Sequence, residues 1–157
     1  MKFIIDCMHG KLAKKMRIYG YDTLYNAYFE DDIVLELAEK ENRIIVTSDT
    51  TLFDRALSRK IPSIKASLDD DVTRMAEIFK ILNLKPALNS KKSRCPLCNT
   101  SLVGISKSQI TSIPENILRR KKIFYQCPKC KKIYWKGSHW KKMGEFELVL
   151  KKKIKHS

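Results

Sequence analysis

Apolar residues in the first half of the chain follow two alternating rhythms. Short unbroken runs at 2–6 (KFIID) and 43–47 (RIIVT), with weaker ones at 22–25 and 63–66, have the length and composition of strands. Between them the apolar positions recur three and four apart. Leu12, Ala13, Met16 and Tyr19 precede Gly20, and Val34, Leu35, Leu37 and Ala38 follow Asp31 and Asp32, either of which can cap a helix. A short helix fits 51–59, and Val72, Met75, Ile78, Phe79 and Leu82 form the apolar face of another over 70–82. This β-α-β-α-β-α-β-α order predicts an α/β domain with a mostly parallel sheet covered by helices.

The rhythm then changes. Residues 85–93 (KPALNSKKS) are polar, contain Pro86 and read as a linker. Short β-like runs at 101–105, 123–126 and 133–135 surround pairs of cysteines, and 145–150 forms a last helix or strand ahead of a Lys-rich tail. The expected division is an α/β domain at 1–86, a linker at 87–92, a small module at 93–150 and a basic tail at 151–157.

Hydrophobic residues make up 43 % of the 157, enough for a packed core. No stretch approaches the roughly 20 apolar residues of a membrane span. The first apolar run, Phe3 to Ile5, is cut short by Asp6, too short for a signal peptide, so a cytoplasmic protein is expected. Charge is divided unevenly. Residues 1–86 carry 14 Lys/Arg and 14 Asp/Glu, whereas residues 87–157 carry 18 Lys/Arg against Glu115, Glu145 and Glu147, so the whole excess of +15 lies in the second part. A polyanion, and nucleic acid first of all, is the natural partner of such a field; a solvated Lys-rich surface is the alternative.

Four of the five cysteines form two Cys-x2-Cys pairs, Cys95/Cys98 and Cys127/Cys130, separated by 28 residues. Paired thiols at this spacing converge tetrahedrally on one Zn2+, and four sulfurs close the site, making the metal structural. So small a module is expected to need its metal to fold. Cys7 stands alone beside Asp6 and reads as a buried apolar residue or a bystander.

Two carboxylates, Asp6 and Asp49, end the two clearest strands, at the edge where parallel sheets bind ligands. Asp31 and Asp32 open the intervening helix, and Asp54 lies one turn into the next. Carboxylates gathered without a cationic neighbour in sequence repel one another, and Mg2+ or Mn2+ would relieve this. The plainer reading leaves Asp31 an N-cap and Asp54 a surface residue.

These residues resemble the PIN-like ribonuclease family named Mut-seven-C, which pairs a PIN-like α/β domain with a C-terminal zinc ribbon. The matching features are Asp6, Gly10-Lys11-Leu12-Ala13 with Met16-Arg17, Gly20-Tyr21-Asp22, Asp31, and Arg43 to Asp49. In the ribbon they are Arg94-Cys95-Pro96-x-Cys98-Asn99, Cys127-x-x-Cys130, and Tyr134-Trp135-x-Gly137-Ser138-His139-Trp140. Ser48 stands where the family usually has Arg. The resemblance implies metal-dependent cleavage of RNA at Asp6, Asp31 (or Asp32) and Asp49.

Tyr134, Trp135, His139 and Trp140 lie among Lys131, Lys132, Lys136, Lys141 and Lys142. Aromatics among cations can stack on unpaired bases while Lys neutralises phosphate; otherwise they build the ribbon's core. Arg119, Arg120, Lys121 and Lys122 form a basic patch in the long loop between the cysteine pairs, and Lys11 and Arg17 lie on the helix after Asp6, where either can face phosphate or solvent. The expected protein is a ribonuclease whose ribbon binds RNA, with ribosomal or transfer RNA as candidate targets. The alternatives are a non-catalytic RNA- or ribosome-binding protein with a vestigial acidic site, and a zinc-ribbon adaptor acting through protein contacts.

Overall fold

Four short strands, β1 (Lys2–Ile5), β2 (Asp22–Leu24), β3 (Ile44–Thr47) and β4 (Ser63–Lys65), pair in the order β2-β1-β3-β4, all parallel, in a computed structural model that describes residues 1–156. The helices between and after them are α1 (Gly10–Ile18), α2 (Asp31–Glu41), α3 (Thr50–Ser58) and α4 (Asp71–Ile81). Successive side chains of a strand point to opposite faces. Phe3 and Ile5 therefore join one apolar cluster with α1 and α4, while Ile4 joins the other with Val34, Leu35 and Ala38 of α2 and Leu52 and Ala56 of α3. The result is a three-layer α/β unit, as the alternating rhythm predicts.

Helix ends set the direction of the chain at both edges of the sheet. Asp49 and Asp70 each accept a hydrogen bond from a backbone N–H of the helix they open, Leu52 and Thr73. α1 stops at Gly20, whose φ of +95° favours glycine, and a Cβ there would lie 2.7 Å from the Lys92 carbonyl oxygen. That contact lets the segment joining the two parts run directly across the turn between α1 and β2.

The second part contains β5 (Val103–Ile105), α5 (Glu115–Arg120), β6 (Phe124–Gln126) and β7 (Ile133–Trp135); the strands form an antiparallel sheet in the order β5-β6-β7. The expected loop between the cysteine pairs thus contains the short helix α5. A larger difference follows. The stretch expected as a helix or strand at 145–150 is part of one 19-residue helix, α6 (Ser138–His156), which runs on through the expected tail. Trp140, Met143, Phe146, Leu150 and Ile154 recur along it at helical spacing and pack on the cluster beneath α1 and α4. Lys15 of α1 ties this side together, bonding Asp71 of α4 at 2.7 Å and resting over the Phe146 ring of α6 at 5.2 Å.

The segment read as a linker is docked. Ser93 donates to the Ile18 carbonyl at 2.6 Å, Ser90 shares a hydrogen bond with the Tyr125 hydroxyl, and the Leu88 N–H donates to Glu147 at 2.7 Å. Among the described residues no helix is long and apolar enough to cross a membrane.

Candidate functional site

Asp6 directly follows β1 and Asp49 follows β3, so both stand at the carboxyl edge of the parallel sheet. One hydroxyl links them. Thr47 Oγ1 donates to Asp6 Oδ2 at 2.8 Å and accepts the Asp49 N–H at 2.9 Å. Asp6 is 6 % exposed, while Asp49 is open to solvent and uses one oxygen to cap α3. Asp31, at the start of α2, faces the same place. Burial and the neighbouring charges of Asp49 and Asp6 push its proton affinity above the usual carboxylate value, against the opposing pull of Arg55. Asp32 points away, its side chain 78 % exposed. Of the two adjacent carboxylates, Asp31 is the one that feels the charges of Asp49 and Asp6.

The sequence shows no cation here, yet the fold supplies one. Arg55 of α3 pairs with Asp32 and, at 3.5 Å, with Asp31. Nor does the sequence reveal how the position of Ser48 is filled. Its hydroxyl donates to the Ala66 carbonyl at 2.9 Å, which leaves its oxygen to accept from His9 Nε2 at 2.8 Å. Burial and the nearby Arg74 hold the His9 pKa below its ordinary value, favouring the neutral ring. Cys7 is half-buried, and its hydrogen bond to Asp6, burial and the Asp6 charge all raise its pKa, favouring the thiol. Asp54 belongs to α3 and makes none of these contacts among the described residues.

The cysteines converge. One sulfur from each of Cys95, Cys98, Cys127 and Cys130 lies within 4.8 Å of the other three. The two turns that bring them together are built alike. Asn99 N–H donates to the Cys95 carbonyl and Lys131 N–H to the Cys127 carbonyl, each at 2.9 Å, and both residues have positive φ, 67° and 62°. Tyr134 hydroxyl meets Cys95 Sγ at 3.1 Å, and Cys130 N–H donates to Cys127 Sγ. Sulfur-only donors at this spacing suit a closed tetrahedral zinc site. Among the described residues no other group of three or more His, Cys, Asp or Glu side chains is gathered closely enough to hold an ion.

The ribbon docks at the amino edge of the sheet, opposite the carboxylates, and Arg17 is the joint. Its position corrects the expectation that it faces RNA. The residue is 4 % exposed, and its guanidinium donates to the carbonyls of Thr23 at 2.9 Å, Pro96 at 2.9 Å and Leu97 at 3.1 Å. A cation only 4 % exposed and spent on three carbonyls has little face left for phosphate. Asn99 reinforces the joint, accepting from the Thr23 N–H and donating to Asp22. Although burial acts to raise the Asp22 pKa, hydrogen bonds from Arg43 and Asn99 hold it below the usual range.

The other expected RNA contacts lie at the surface. Lys11 is exposed on the first turn of α1, beside the acidic edge. Arg119 and Arg120 are exposed on α5, Arg119 paired with Glu115 at 2.6 Å, and Lys121 and Lys122 follow. His139 is exposed and Trp140 half-buried, both at the start of α6 beside the ribbon.

The class defined by these features is an α/β domain with an acidic carboxyl edge, joined at its other edge to a basic four-cysteine ribbon. The chain belongs to the Mut7-C RNAse domain family, whose family model matches residues 1–147. That description carries a ribonuclease-type function, with RNA as the substrate class. No curated protein and no solved structure matches the chain.

Proposed function

We propose that the protein is a PIN-like, Mg2+- or Mn2+-dependent ribonuclease whose ribbon, folded around one Zn2+, binds the RNA. The observation that carries the reading is that Asp6 and Asp49 end neighbouring strands at one sheet edge, the Thr47 hydroxyl bonded to the Asp6 carboxylate and to the Asp49 N–H, with the proton affinity of Asp31 raised by burial and by the charges of Asp49 and Asp6. The donors fit the metal in chemistry, being all oxygen and mutually repelling, as a hard divalent cation requires. When bound, such an ion supplies an activated water and neutralises charge at phosphorus. The chain's own residues do the rest. Thr47 orients the Asp6 carboxylate and holds the Asp49 backbone, the Leu52 N–H orients the Asp49 carboxylate, Arg55 balances Asp31 from the outer side, and exposed Lys11 attracts the phosphate backbone. Hydrolysis then breaks the P–O3′ bond and leaves a 5′-phosphate.

The test is Mn2+- or Mg2+-dependent cleavage of single-stranded RNA by zinc-loaded protein. Asp6→Asn and Asp49→Asn should each abolish it, Asp31→Asn should reduce it more than Asp32→Asn, and Asp54→Asn should matter least. An Asp6→Asn protein that keeps its zinc and cuts RNA at the parent's rate sinks the assignment. One observation favours a second reading: the carboxylates are not gathered as closely as the cysteines are. Should neither protein cut RNA while both bind it, the non-catalytic RNA-binding reading replaces the enzyme.

A further inference from the structure

Between the ribbon and the start of α6 lies a cleft of about 400 Å³, floored by Ile18 and walled by Tyr134, Trp135, His139 and Trp140. We propose that this cleft holds one unpaired nucleotide of single-stranded RNA, its base against the tryptophans and its phosphate on Lys132 and Lys136. The proposal rests on the RNA-binding reading above and gives that binding a place.

The walls are aromatic and fixed from behind. Trp135 is half-buried and leans on Phe124 with ring centres 6.3 Å apart at 52°. It also closes over Gly137, where an added Cβ would lie 3.0 Å from the indole nitrogen. Trp140 packs into the cluster shared with the α/β domain, and Lys136 lies over its ring at 5.5 Å. Rings held in place lose little freedom on stacking. The indole N–H of Trp135, a donor only, has no hydrogen-bond partner among the described residues and is free to donate to a base or a phosphate oxygen.

The rim carries the complementary charge. Lys132 and Lys136 are exposed on it, and it stands in the part of the chain with net charge +15. An apolar ligand would gain nothing from such a rim, whereas a nucleotide uses both features. Stacking on aromatics with backbone neutralisation by cations is how proteins hold unpaired bases with little sequence preference. A paired base presents no open face and does not fit.

Both tryptophans of the chain line this cleft, so tryptophan emission reports on it alone. Full-length, zinc-loaded protein carrying Asp6→Asn, to prevent cutting, is titrated with a labelled single-stranded RNA ten-mer. Emission and RNA anisotropy are followed together. The expected result is quenching that saturates along the anisotropy curve for the single strand and is absent for the same sequence in duplex form. Lys136→Glu with His139→Ala, both exposed, should weaken binding about tenfold while zinc content stays unchanged. Binding without quenching, or a double variant that binds like its parent, overturns the cleft while leaving the ribonuclease reading intact. Quenching by an acidic peptide and not by RNA overturns it as well. If the wild-type chain neither binds nor cuts RNA, the reading beneath the proposal fails and the proposal goes with it.

Discussion

Arg17 keeps a charge almost out of contact with water, and it does so without a carboxylate partner. Its guanidinium is satisfied by one carbonyl of the sheet and two of the first cysteine turn. Removing the side chain leaves the Thr23 carbonyl buried and unpaired, strips the partly buried Pro96 and Leu97 carbonyls of their donor, and opens a void at the joint, and these effects destabilise. Arg17→Ala should cost about 3 kcal/mol of unfolding free energy, measured by urea denaturation of the zinc-loaded protein. Lys supplies one charged head where Arg supplies a fork, so Arg17→Lys should recover only part of the loss. Stability unchanged in the Ala variant would mean that the joint does not depend on this residue. Arg17 illustrates the limit of reading single residues in sequence. It sits on a helix just after Asp6, where a phosphate contact is plausible, and the carbonyls that claim it lie 79 and 80 residues away. Asp6 and Asp49 were legible because strand ends are legible. Arg55, Ser48 and His9 were not, because their contacts are made across 23 and 39 residues.

Among the elements, α6 has the largest structural consequence. It begins at the ribbon, packs its apolar side on the α/β domain, and so belongs to both parts. Leu150 is fully buried there. Leu150→Ala should lower stability by about 3 kcal/mol through lost apolar contact and the cavity left behind, detectable as a shift in denaturant midpoint with the slope preserved. A loss below about 0.5 kcal/mol would mean that the helix is only loosely laid on the domain. Sequence pattern located the strands within a residue or two, because unbroken apolar runs between turn residues have few other uses. The full extent of α6 escaped the same method. Its apolar stripe is interleaved with Lys141, Lys142, Lys151, Lys152 and Lys153, and a run so rich in lysine reads as a solvated tail until a partner surface is known. The cysteine turns were legible for the opposite reason, since four thiols at that spacing serve few purposes other than metal.

The whole molecule is organised by its two edges, the acids on one and the ribbon on the other. Because the first cysteine turn supplies carbonyls to Arg17, loss of zinc should loosen more than the ribbon. Chelation should lower the melting temperature of the entire chain by about 10 °C, in step with the loss of roughly 3 kcal/mol at the joint, as seen by calorimetry. An α/β domain that melts at the same temperature with and without metal would show the two parts to be energetically independent. The distance between the edges has its own effect. α1 is nine residues long, about 13 Å at the usual helical rise, with Ile18 flooring the cleft at one end and Gly10 beside the Asp6 turn at the other. An RNA anchored by one nucleotide in the cleft must travel that length before its backbone reaches the carboxylates. If the cleft is the anchor and the carboxylates cut, mononucleotides should compete with RNA without being cut themselves, and a cleavage assay whose rate they leave unchanged would count against the anchor.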